Sequence, residues 1–211
     1  NTKVNGGKIT MDGTEGFTSF QAGYMKDAQG NLDKDADTSV EFIGSEINLK
    51  DKDRGHGGKH QVVLGGHKDT HQTIKMHGVH LHGTGHVQNV HMNGGRLGIG
   101  NSPGVMSITD TDFSGTEWTF HLITNPTDTN WVANGANTTP GDAFSQLKLD
   151  GANTASGITI LLNYQTESNG TYANTDSSAF GVNLEIGSSI TLIDTSRGTI
   201  TGDYKFAEYT L

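Results

Sequence analysis

The sequence predicts an all-β protein. It reads as a β-solenoid segment of the parallel β-helix kind followed by a β-sandwich-like C-terminal part, with a single jelly-roll-like β-sandwich as the alternative. Three observations carry this prediction. First, apolar residues recur in pairs spaced by two, as Ile74/Met76, Val79/Leu81, Val90/Met92, Leu97/Ile99 and Met106/Ile108, the spacing that puts both side chains on one face of a strand. Second, Gly78, Gly83, Gly85, Gly94 and Gly95 punctuate these pairs, so the strands are short and the corners tight. Third, glycine supplies 30 of 211 residues while apolar residues make up only 32%, a mixture suited to thin β layers rather than to helical bundles. No stretch carries a convincing helical period.

Taken in order, residues 1–50 form a polar β region. Val4-Asn5-Gly6-Gly7-Lys8-Ile9-Thr10-Met11 is a strand candidate, and Phe17 and Phe20 follow it. Val40 to Leu49 alternates well on either side of Gly44 and is the best strand candidate of this region. Residues 51–72 are charged and glycine-rich and read as a loop, with Gln61-Val62-Val63-Leu64 as a short strand inside it. Residues 73–109 hold the regular pairs. Their spacing favours stacked rungs, each burying a few inward residues, although unequal rung lengths argue against a strict repeat. Beyond residue 113, Trp118–Leu122, Gly157–Tyr164, Gly181–Ile186 and Ser189–Ile193 read as longer strands, and Tyr204–Leu211 alternates less cleanly. Thr124–Gly141 is a polar loop containing Pro126 and Pro140. The composition shift near residue 110 divides the chain into a solenoid-like region, 1–110, and a sandwich-like region, 111–211, within two domains or one continuous domain.

The most defined corner is Gly100-Asn101-Ser102-Pro103-Gly104, between Arg96–Ile99 and Val105–Ile108. Asn101 tolerates left-handed backbone angles, Pro103 presets φ and Gly104 permits positive φ, so the corner is structural. At these residues the chain resembles a known family. GHVQNVHMNGGRLGIGNSPGVMSITD is similar to the repeat near the end of bacterial autotransporter passengers and related surface adhesins, where a G-x-V-x-N-V strand precedes GG-x-L-x-x-GNSPG-x-L-x-V. Gly141–Leu149 and Ser189–Asp194 extend the resemblance with generic β patterns, so it covers roughly residues 85–202. It implies a β-helical, exported, surface-displayed or matrix protein. The family's membrane barrel has no counterpart in this sequence, and the first eighty residues lie outside the resemblance.

Composition narrows the function. A formal charge of −9 and the lack of a basic stripe argue against nucleic acid as a partner. No apolar run reaches the length of a membrane span. Without cysteine, neither disulfides nor thiol chemistry operate. The chain starts at Asn1 rather than Met, as removal of a leader or trimming would leave it. Neither G-x-S-x-G nor H-E-x-x-H occurs, and arginine is confined to Arg54, Arg96 and Arg197, too few for a basic cluster that grips substrate carboxylates. The expectation is a protein that is not an enzyme.

Two constellations could bind cations. Nine of ten histidines lie between His56 and His91. His80 and His82 flank Leu81, and His91 flanks Val90 and Met92 in the same sense, so alternation turns these imidazoles away from the core. Imidazoles two apart on one strand face can share a transition metal. The competing readings are an ordinary solvent face or a pH-sensitive surface. Asp33, Asp35 and Asp37 stand at alternate positions and could wrap Ca²⁺, with Asp27, Asn31 and Glu41 nearby, or form a solvated acidic loop. Calcium is the one cofactor this pattern allows. Asp51/Asp53 and Asp110/Asp112 repeat it in shorter form.

The sequence therefore predicts an extracellular or cell-surface protein with a structural or adhesive role. It would be a fibre subunit or an adhesin passenger fragment that associates with itself through strand edges or terminal strands. The alternative is a metal- or glycan-binding surface module.

Overall fold

The computed structural model describes residues 2–23, 25–33, 37–52, 60–66, 71–100, 103–124, 140, 144–168, 171–174 and 190–207. These residues are all-β, with no α-helix among them. No helix of the described residues is long and apolar enough to cross a membrane.

The strands are laid down in successive passes. The first pass supplies β1 (Thr2–Asn5), β2 (Lys8–Asp12) and β3 (Thr18–Phe20), and a two-stranded ribbon follows, β4 (Met25–Lys26) with β5 (Leu32–Asp33). The second supplies β6 (Thr38–Ile43), β7 (Glu46–Lys50) and β8 (Val62–Leu64). The third supplies β9 (Gln72–His77) and β10 (His80–Gln88), and the fourth β11 (Val90–Asn93), β12 (Arg96–Ile99) and β13 (Val105–Thr109). Then come β14 (Asp112–Ser114), β15 (Glu117–Thr124), the long β16 (Gln146–Ser168), β17 (Thr171–Asn174) and β18 (Ile193–Phe206).

Pairing between passes is parallel, and it builds three ladders. The first runs β1, β6, β9, β11, β14 and the middle of β16. The second runs β2, β7, the start of β10, β12, β15 and the later half of β16. The third runs β3, β8, the end of β10, β13, the start of β16 and β18. Because β10 and β16 each belong to more than one ladder, the pairings β10–β12–β15–β16–β13–β10 close on themselves, a ring of five parallel strands with the other strands outside it.

Alternation accounts for the core. In the second ladder Ile9, Ile47, Leu81, Leu97, Trp118 and Ile160 occupy one column in register, and in the first Phe42, Met76, Met92, Phe113 and Ala155 do the same. All of these except the half-buried Ile9 are at most 2% exposed. Every apolar pair that the sequence singled out between residues 74 and 108 is fully buried. Phe113 and Trp118 meet edge to face with ring centroids 5.3 Å apart, bridging the two columns.

The corner between the first and second ladders repeats in nearly every pass. Gly6, Gly44, Gly78, Gly94, Gly115 and Gly157 hold φ between +58° and +66°, the left-handed region that glycine enters without penalty. Gly44, Gly78, Gly94 and Gly115 each donate their N–H to the last strand carbonyl of the next pass (His77, Asn93, Ser114 and Ser156), so the corners themselves are hydrogen-bonded in a column.

The C-terminal strands differ from the sandwich or jelly-roll expectation. Both predict antiparallel partners, yet β15, β16 and β18 pair in parallel and extend the ladders that begin before residue 110. The physical reason is the in-register continuation of the apolar columns: Trp118 on Leu97 and Leu149 on Ile108. Only β16 with β17 and the small β4–β5 ribbon are antiparallel among the described strands. The predicted strand Gly181–Ile186 and the loop Thr124–Gly141 lie almost wholly outside the described residues.

Candidate functional site

The outer face of the second ladder carries a cleft of about 330 Å³, lined by His80, His82, Arg96, Glu117, Thr119 and His121. Its floor is made by Gly98 and Gly100. Gly98 pairs with His82 in register, and a Cβ on it would stand 2.9 Å from the His82 Cβ, so the missing side chain is what opens the space. The rings of His80 and His82 stack with centroids 4.7 Å apart and planes 28° from parallel. His82 Nε2 lies 3.3 Å from Glu46 Oε1, and Arg96 Nε lies 3.3 Å from Glu117 Oε1.

Electrostatics bias part of this cluster toward the neutral form. Burial, and then the neighbouring His82, push the pKa of His80 below the usual imidazole value. The same two causes lower that of His121. His121 Nδ1 is buried with no hydrogen-bond partner, which leaves a lone pair or an N–H directed into a confined space.

The sequence-predicted residues fall in separate places. His80 and His82 share the cleft, with His80 exposed and His82 half-buried. His91 sits in the first ladder instead, in register with Lys75 and Asp112, and its Nδ1 lies 3.5 Å from Asp112 Oδ2. Among the described residues no group of three or more histidines and carboxylates converges as a metal site.

The acidic positions serve local structure. Asp27 Oδ1 accepts the N–H groups of Gln29 and Asn31 at 3.0 and 2.8 Å, closing the turn between β4 and β5. Asp33 lies on β5, Asp37 Oδ1 lies 2.9 Å from His71 Nδ1, and Asp35 is outside the described residues. Asp110 Oδ1 accepts the Ala152 N–H at 3.0 Å and Asp112 Oδ1 the Thr154 hydroxyl at 2.5 Å, both across to the next pass.

Of the corner residues, Pro103 and Gly104 are buried between β12 and β13, while Asn101 lies outside the described residues. Gly100 carries a positive φ of +80°, and the Gly104 carbonyl accepts the Gln146 N–H at 3.1 Å.

A second cluster escaped the sequence. Asp51, His60 and Ser107 form one hydrogen-bonded chain on the outer face of the third ladder. His60 Nδ1 is 2.5 Å from Asp51 Oδ2 and its Nε2 is 2.7 Å from Ser107 Oγ. Alternation within β13 does announce that Ser107 points outward between Met106 and Ile108. Nothing in the sequence announces that His60, from the segment before β8, lies on it.

Comparison with protein families, curated proteins and solved structures returns no match for this chain.

Proposed function

We propose that this chain is a structural or adhesive module of an extracellular surface or matrix assembly, built as a β-solenoid whose rungs are the passes described above. One observation carries the reading. Tyr204 and Phe206 stand in register with the buried Ile158 and Ile160, on core columns, yet are 60% and 55% exposed. Among the described strands β18 pairs only with β16. The columns thus present apolar side chains and unpaired backbone groups to a further strand, whether of the same polypeptide or of another copy. The resemblance of residues 85–202 to passenger repeats supports the same reading. Charged outward columns suit a solvated rod surface: Lys3 meets Glu41 and Lys8 meets Glu46, each at 2.8 Å.

Negative-stain electron microscopy with sedimentation velocity tests this. The expected result is elongated particles that lengthen with concentration, and shorter ones for the double variant Tyr204→Asp/Phe206→Asp. Compact particles of one size at every concentration would reject self-assembly.

A second reading, binding of a transition metal or a small glycan, is favoured by the histidine cleft. Titration calorimetry with Ni²⁺ is its check, and it fails if His80→Ala/His82→Ala leaves the heat unchanged.

A further inference from the structure

The relay on the third ladder is ordered for proton transfer. Asp51 follows β7 directly, and its side chain is only 1% exposed. Its Oδ1 accepts two backbone N–H groups, from Gln61 at 2.6 Å and Lys52 at 3.0 Å. That leaves Oδ2 for His60. An ionised carboxylate can only accept, so the proton of a neutral His60 ring sits on Nδ1. Its Nε2 then offers a lone pair to the Ser107 hydroxyl at 2.7 Å. Here both imidazole nitrogens are engaged, in the orientation that removes a proton from serine.

We propose that Asp51, His60 and Ser107 form a nucleophilic triad that hydrolyses carboxylic esters of small acyl groups. Ser107 is half-buried and the His60 side chain only 9% exposed, a confinement that favours small acyl groups.

The flanking residues fit the chemistry. His86 and Lys148 stand in register with Ser107 on the passes before and after it, about 4.8 Å away along the ladder. Burial first, and then His60, lower the pKa of His86 to about 4, and its Nε2 lies 2.7 Å from Thr109 Oγ1. A neutral His86 adds no second positive charge beside a protonated His60. Lys148, on the other side, has Asp194 of β18 as its further register partner.

In the first step the Ser107 oxygen bonds to the ester carbonyl carbon as its proton passes to His60 Nε2. The tetrahedral oxyanion collapses, the ester C–O bond breaks, and the His60 proton leaves with the alcohol. Water then attacks the acyl carbon and gives a proton to His60. The bond to Ser107 breaks, serine recovers its proton, and the carboxylic acid departs. Ester and water become acid and alcohol, with no net oxidation.

The test exposes the intact protein to an alkyl fluorophosphonate and maps the adduct by peptide mass spectrometry, alongside hydrolysis of p-nitrophenyl acetate. The expected result is a single adduct on Ser107 with loss of fluoride, and ester hydrolysis above that of free imidazole. Ser107→Ala should lose the adduct and fall to that background while keeping the native circular dichroism. His60→Gln should do the same, and Asp51→Asn should lower the rate by about 10²–10⁴-fold. An unmodified Ser107 in natively folded protein, or Ser107→Ala at the wild-type rate, would overturn the assignment. Either result leaves the self-assembly reading untouched, because that is judged by particle length.

Discussion

Gly83 lies so close to Leu49 that a Cβ built on it would stand 2.0 Å from the Leu49 carbonyl oxygen. The two are register partners in the second ladder, and Gly83 has φ of +116°. Gly83→Ala should therefore cost more than about 3 kcal/mol, since backbone must move and the conformation is itself unfavourable. Gly44, by contrast, has φ of +61° and nothing within 4 Å of its would-be Cβ. Gly44→Ala should cost only about 1–2 kcal/mol. Urea denaturation of the two variants checks the order, and equal losses would remove the role assigned to close approach.

Trp118 is 1% exposed, packs on Phe113 and donates Nε1–H to Thr116 Oγ1 at 2.9 Å. Truncation to alanine should cost about 3–5 kcal/mol, because the rigid column above and below cannot collapse into the gap. Thermal unfolding followed by circular dichroism would register this as a shift of several degrees.

Asn153 is a buried polar link between three passes. Its Oδ1 accepts the Thr111 N–H at 3.1 Å and the Thr111 hydroxyl at 2.8 Å, while Nδ2 donates to Asp150 O and Thr199 O at 3.0 and 3.2 Å. Asn153→Ala strands these groups away from water, for an expected loss of about 2–4 kcal/mol. Asn153→Asp should not rescue it at neutral pH, since a carboxylate cannot donate to the two carbonyls. Chemical denaturation at pH 7 compares the pair.

His86 gives the fold an acid dependence. Its pKa in the folded state, about 4, lies below the ordinary value of 6.5, so the unfolded chain binds the proton first as pH falls. Stability is then full above about pH 6.5, declines as pH drops toward 4 and levels off below that, with a total loss of about 3 kcal/mol. His80 and His121 are shifted in the same direction and add to the decline. Denaturation midpoints between pH 7 and 4 should fall less steeply for His86→Gln than for the parent protein. Parallel curves would assign the acid sensitivity elsewhere.

The all-β class and most of the core were legible in the sequence. Alternation at Val79/Leu81 or Val90/Met92 states which side chains face inward, and the buried values agree. Val40 to Leu49 was legible as β structure, but as one strand candidate; the left-handed Gly44 divides it into β6 and β7. Stacked rungs were legible between residues 73 and 109, but not the repeat across the whole chain, because each pass restates a strand, a left-handed glycine and a second strand while the chain between one pass and the next varies in length. Parallel pairing of the C-terminal strands was hidden for the same reason, since register between Leu97 and Trp118 is set by stacking rather than by local pattern. The sites were less legible still. His82 and His121 meet only because β12 between them contributes Gly98 to the surface, and His60 reaches Ser107 across 47 positions of sequence.

In the proposed solenoid the stacked ladders also make the molecule mechanically anisotropic. Hydrogen bonds between parallel strands run across the strands, along the direction in which the passes accumulate. Tension in that direction loads the layers in series, so one pass peels away before the next is strained. Tension along a strand instead shears a whole ladder at once, with β15 and β16 sharing the load over eight register pairs. A tether attached at the stacking ends would therefore yield stepwise at low force, while one attached across β16 would hold until the sheet failed together.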